Sequence, residues 1–105
     1  MAEFQKVIAV TDLAEGQVKV VGVEGKRIAV ARADGQFYAF DDRCTHAEAS
    51  LAKGEFDPGS LEIECPLHGA RFDIATGKAR CLPAVKMLQT YPVRVKDGQV
   101  EINVE

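Results

Sequence analysis

The sequence predicts an all-β fold, and three observations carry that expectation. Apolar and polar residues alternate over short segments, two-residue turn signals separate those segments, and no window sustains an apolar helical stripe over three turns. The early segment "KVIAV" (6–10) reads as a strand able to pair with the end of the chain, and "TDLAEG" holds about one turn of helix. "QVKVVGV" (17–23), "KRIAVARA" (26–33) and "QFYAF" (36–40) follow with the period of half-buried strands. Glu24-Gly25 and Asp34-Gly35 connect them, residue pairs that accept positive φ and match hairpin twist, so the first half is an antiparallel meander. The end repeats the device: "TYPVRV" (90–95), the turn Lys96-Asp97-Gly98, and "QVEINV" (99–104).

Between these regions, from 41 to about 87, the periodicity loosens. The stretch contains "DDRCTHAEASLAKGEF", in which "HAEASLAKG" holds about one helical turn, a "DPGS" turn (57–60), a short strand "LEIE" (61–64), "ECPLHGARFD" (64–73) and a turn at Thr76-Gly77. Long excursions in a small domain are usually functional, and every ligand-type residue falls here.

At 105 residues the chain is expected to be one domain, 1–105. Its composition is that of a globular protein, with 47% hydrophobic and 28% charged residues. A net charge of -3 with no Lys/Arg run argues against nucleic acid and leaves room for a positively charged protein partner. The longest apolar runs stop well short of the roughly 20 residues of a membrane helix. The N-terminus lacks the pattern of an export signal, so the expected compartment is the cytoplasm. Three cysteines in a reducing compartment favour metal ligation over a disulfide framework.

Both histidines and two of the three cysteines form Cys44-x-His46 and Cys65-x-x-His68, with 18 residues between the two motifs. Each loop offers one thiolate and one imidazole. A structural Cys₂His₂ zinc site is one reading of this quartet, although such sites usually pair cysteine with cysteine and histidine with histidine. Mixed pairs suit a two-metal cluster better, because each loop then clamps both metals.

Through "CTH" (44–46) and "CPLHG" (65–69) the sequence resembles the Rieske [2Fe-2S] proteins, and the resemblance extends to "LPAVKMLQTYPVRV", which is similar to the family's proline loop and closing strand. It implies an antiparallel β-sandwich with a cluster-binding subdomain, about 41–87, made of two loops under a covering proline loop. It also implies one [2Fe-2S] cluster, with Cys44 and Cys65 on the inner iron and His46 and His68 on the outer one. Two ferric ions, two sulfides and two thiolates sum to zero with neutral imidazoles, whereas four thiolates leave the oxidised site doubly negative. Histidine ligation therefore raises the potential, from about -400 mV to about -150 to +300 mV.

High-potential members of the family carry an extra disulfide at positions that are Ala49 and Leu67 here, and serine and tyrosine hydroxyls at positions that are Ala70 and Phe72. Without those donors to the sulfurs the expected midpoint lies near the low end of the range, about -150 mV. A low-potential, cytoplasmic, free-standing domain of this kind resembles the ferredoxin component of bacterial aromatic-ring-hydroxylating dioxygenases. That implies transient docking with a flavoprotein reductase and a terminal oxygenase, no direct small-molecule substrate, and no catalysis by the chain itself. The alternative within the same fold is the Rieske-like small subunit of an assimilatory nitrite reductase. Leu67, Ala47 and Pro83 are expected to form an apolar docking tip, Asp41, Asp42 and Glu48 to be solvated or steering charges, and Cys81 to be packing.

Overall fold

A computed structural model describes residues 4–43, 49–67, 69–81 and 87–104, with the backbone alone described at Cys81. Among these residues eleven strands form three antiparallel sheets. In chain order they are β1 (Gln5–Ala9), β2 (Val18–Val23), β3 (Lys26–Ala33), β4 (Gln36–Asp41), β5 (Phe56–Asp57), β6 (Glu62–Glu64), β7 (Arg71–Asp73), β8 (Ala79–Cys81), β9 (Thr90–Tyr91), β10 (Val93–Lys96) and β11 (Gln99–Ile102). Single 3₁₀ turns at Val10–Asp12 and Leu51–Lys53 stand where short helical turns were expected. The all-β expectation holds.

Three hairpins are closed by two-residue turns in which both residues have positive φ: Glu24-Gly25, Asp34-Gly35 and Asp97-Gly98. This is the twist-matched hairpin geometry. Lys96 belongs to β10, where it pairs with Gln99, so the last turn is one residue shorter than the sequence reading. As anticipated, β1 pairs with β11.

Two corrections are physical. The segment 90–95 is not one strand: Pro92 has no N–H for a ladder, so Thr90–Tyr91 joins β4 and Val93–Lys96 crosses to β11. The Pro92 carbonyl accepts from the Asn103 N–H at 3.1 Å, tying the switch point to the last strand. The second correction concerns β3, which is central rather than half-buried. Ile28 to Ala31 are all fully buried, with Ile28 and Val30 facing the sheet β1-β11-β10, and Ala29 and Ala31 facing the opposite way.

That opposite face positions the site. Ala29 and Ala31 pack in one core with Phe40, Leu51, Ile63, Cys65, Ala70, Phe72, Ile74 and Leu88. Small side chains on β3 let the third sheet, β5-β6-β7-β8, settle closely on the second. The stretch expected to be loose from 41 to 87 therefore contains its own sheet, and the second ligand loop joins two of its strands, β6 and β7.

Candidate metal centre

Segment 44–48, which contains Cys44, His46, Ala47 and Glu48, lies outside the described residues, as do His68 and Pro83 and the Cys81 side chain. What the structure describes is how the two loops are anchored, and the surroundings of Cys65.

The first loop is closed at its neck by an antiparallel bridge between Arg43 and Ser50. Asp42, 1% exposed, staples the two sides. Its Oδ1 accepts from the Ala52 N–H and its Oδ2 from Arg27 Nη2, both at 2.9 Å, while its backbone carbonyl accepts from the Leu51 N–H at 2.6 Å. Asp41 accepts from the Tyr91 hydroxyl at 2.6 Å. Burial, followed by this carboxylate, pushes the Tyr91 phenol well above its ordinary value. Asp41 and Asp42 are thus structural ties, not the solvated or steering charges their place in the sequence implied. No sequence signal separated them from ordinary loop acids, because their partners Arg27 and Tyr91 are remote in the chain.

The second loop is a tight turn. The Cys65 N–H donates to the Ala70 carbonyl at 2.7 Å, and the Gly69 N–H donates to the Cys65 carbonyl at 3.1 Å. Gly69 has φ +72°, which favours glycine, and nothing lies within 4 Å of where its Cβ would be. The positive φ is a reason for glycine at this position. Cys65 is 1% exposed, free of any disulfide, and buried against Ala70 and Phe72, which are themselves fully buried. Pro66 and Leu67 are exposed at the outside of the turn, Leu67 at 59%, and Met87 at the far side of segment 82–86 is 63% exposed.

Gly54, which sequence reasoning missed, brings the loops together. A Cβ at Gly54 would overlap the Glu64 carbonyl oxygen and lie 2.9 Å from its carbon and 3.2 Å from Pro66 Cδ. The Glu64 N–H donates to the Glu55 carbonyl at 2.8 Å, so the chain leaving the first loop runs directly against the residue before Cys65. Behind the second loop, Asp73 accepts from Arg80 Nη2 at 2.8 Å and from the Ala75 and Thr76 N–H groups. Burial alone would raise the Asp73 pKa, but these donors outweigh it and hold the carboxyl below its ordinary value.

The donor chemistry fits an iron–sulfur cluster. A buried, unoxidised cysteine stands at the mouth of a rigid turn, with apolar neighbours that keep water from its sulfur. The family model for the Rieske [2Fe-2S] domain matches residues 3–92. This chain belongs to the Rieske [2Fe-2S] family. As a Rieske domain it binds one [2Fe-2S] cluster. Among curated relatives, the ferredoxin component of the naphthalene 1,2-dioxygenase system of Pseudomonas putida is 42% identical over 99 residues, spanning 94% of this chain and 93% of the relative. Among solved structures, a complex of reduced oxygenase and oxidized ferredoxin in carbazole 1,9a-dioxygenase matches with TM-score 0.90 and 39% identity, over 97% of this chain and 94% of that one. A nitrite reductase NADPH small subunit matches with TM-score 0.82 and 26% identity, over 95% and 97%.

Proposed function

We propose that this Rieske domain is the ferredoxin component of an aromatic-ring-hydroxylating dioxygenase system, taking single electrons from a flavoprotein reductase and passing them to a terminal oxygenase. It carries electrons and transforms no substrate. The observation that carries the reading is likeness over nearly the full length of a dioxygenase ferredoxin, at 42% identity. The nitrite reductase small subunit shares the fold at 26% identity and is the second reading. The whole chain, 1–105, acts as one domain, and its compartment is the cytoplasm. No helix among the described residues is long and apolar enough to cross a membrane.

Cys44 and Cys65 would bind the inner iron, and His46 and His68 the outer one. When bound, the cluster supplies a reversible one-electron couple. The chain's own residues do the rest. Asp42 and the Arg43–Ser50 bridge close the neck of the first loop, and Gly54 lets the chain leaving it pack against Glu64, the residue before Cys65. Ala70 and Phe72 fill the space beside Cys65 without offering a hydroxyl, which leaves the added negative charge less stabilised and sets a low potential. Exposed Leu67 gives the outer side of the second loop an apolar contact suited to brief docking, since electron-transfer encounters bury less than about 1,200 Å².

The test is reconstitution with a purified dioxygenase reductase and oxygenase. Reductant-dependent product formation should require this protein, and Leu67→Lys should slow transfer to the oxygenase with the visible spectrum of the cluster unchanged. Support of a nitrite reductase but not of any dioxygenase would select the second reading.

A further inference from the structure

Gly77 is buried in the turn between β7 and β8, and two features there favour glycine. Its φ is +83°, and a Cβ would overlap the Leu88 carbonyl oxygen while lying 3.3 Å from the Leu88 carbonyl carbon and 3.4 Å from Thr90 Cγ2. Hydrogen bonds fasten this approach. The Gly77 N–H donates to the Asp73 carbonyl and the Leu88 N–H to the Gly77 carbonyl, both at 2.7 Å. Leu88 is 2% exposed and belongs to the core that holds Cys65, Ala70 and Phe72. Gly98 is different: its φ is +74°, but nothing lies within 4 Å of its Cβ position, so only the turn conformation favours glycine there.

The contact lies between the roots of the two ligand loops. On one side, the turn that holds Gly77 follows β7, where Asp73 pairs with Glu62 and Arg71 with Glu64, the residue before Cys65. On the other side, the chain beyond Leu88 runs directly to the strand that enters the first loop. The Asp41 N–H donates to the Gln89 carbonyl at 2.9 Å, Thr90 and Tyr91 pair with Phe40 and Ala39, and the Tyr91 hydroxyl donates to Asp41 at 2.6 Å. The run from Leu88 to Tyr91 is therefore a strap from the third sheet to the end of β4.

We propose that Gly77 is a positioning residue for the metal centre: its backbone contact with Leu88 sets the separation of the two ligand loops, in addition to the contact of Gly54 with Glu64. The inference rests on the reading that both loops ligate one cluster. A side chain at position 77 drives the Leu88 carbonyl away, which loosens both the strap to Asp41 and the core that Cys65 shares with Leu88. Water that gains access to the sulfurs stabilises the more negative reduced cluster, so the midpoint potential rises and iron is extracted more easily.

The test compares the cluster-loaded parent with Gly77→Ala, Gly77→Asn and Gly98→Ala in potentiometric titration and in iron release to EDTA. Asparagine tolerates positive φ but carries a Cβ, so it separates the contact from the turn conformation. Both Gly77 variants should release iron about tenfold faster than the parent and have a higher midpoint. Gly98→Ala meets positive-φ strain in the β10–β11 turn and should melt lower while keeping the parent's midpoint and release rate. A Gly77→Asn protein that matches the parent in both would overturn the proposal, as would equal changes in Gly98→Ala and Gly77→Ala. Hydrogen exchange of the parent decides the matter if the Gly77 variants do not fold: the Leu88 and Asp41 amides should be protected, and exchange as fast as unbonded turn amides would overturn the strap. A parent without a [2Fe-2S] spectrum would overturn the ligand reading and this proposal with it, whereas a loaded parent with unmoved Gly77 variants overturns this proposal alone.

Discussion

An alanine at position 54 tests the idea that the two ligand loops are held together by backbone contact. The added Cβ overlaps the Glu64 carbonyl oxygen, and Pro66 Cδ at 3.2 Å blocks the nearest sideways escape. The carbonyl must withdraw by on the order of 1 Å to restore a van der Waals separation. Glu64 is held in β6 by its pairing with Arg71, so the strain belongs at the upper end of overpacking costs, about 3 kcal/mol. Losing the bond from the Glu64 N–H to the Glu55 carbonyl adds about 1 kcal/mol. The displaced residue directly precedes Cys65, so the geometry of the ligand set suffers along with stability. Gly54→Ala should melt at least about 12 °C lower than the parent and retain well under its complement of iron and sulfide. Gly22→Ala is the control, since nothing lies within 4 Å of its Cβ. Thermal melts and iron and sulfide analysis of both variants measure the effect. A fully loaded Gly54→Ala protein melting within a degree or two of the parent would refute the reasoning.

Asp42→Ala should cost about 3 kcal/mol in denaturant titration, mostly from stranding the Ala52 N–H, while Asp42→Asn should cost about 1–2 kcal/mol because the amide oxygen still accepts that bond. The Arg27 side of the pair contributes little, Arg27 being 67% exposed; equal losses for the two variants would contradict this division. Installing the missing hydroxyls, Ala70→Ser with Phe72→Tyr, should raise the midpoint potential by about 40–90 mV if their hydrogen bonds favour the reduced form by about 1–2 kcal/mol; an unchanged or lower midpoint in potentiometric titration would count against it. The lowered Asp73 carboxyl contributes stability that is fully present above the ordinary carboxylate pKa and is lost as pH falls through the folded value. The parent should therefore lose more stability than Asp73→Asn between about pH 5 and about pH 3, and parallel acid limbs in pH-dependent melts would exclude that role.

The parts of the fold legible in the sequence were those written locally. Glu24-Gly25 and Asp34-Gly35 marked their hairpins because both positions require positive φ, and the long strands they join carry enough residues to show a period of two. β5, β7 and β8 are two or three residues long, too short to show any period, so the third sheet was invisible until its pairing partners were placed beside one another. Pro92 was visible but its consequence was not, since a strand that changes sheets looks like one strand in sequence. At the site, the Cys-x-His and Cys-x-x-His spacing announced the cofactor, whereas Asp42 and Gly54 gave no signal. Their roles depend on Ala52 and Glu64, and no local pattern encodes a contact with a residue ten or more positions away.

The central claim is that two histidines and two cysteines hold a redox-active [2Fe-2S] cluster. Electron paramagnetic resonance of the chemically reduced, purified protein tests it most directly. A rhombic signal with an average g value below that of all-cysteine [2Fe-2S] proteins is the result predicted for two-histidine, two-cysteine ligation. A signal of the all-cysteine type, or a silent spectrum from a protein that carries zinc, would contradict the account.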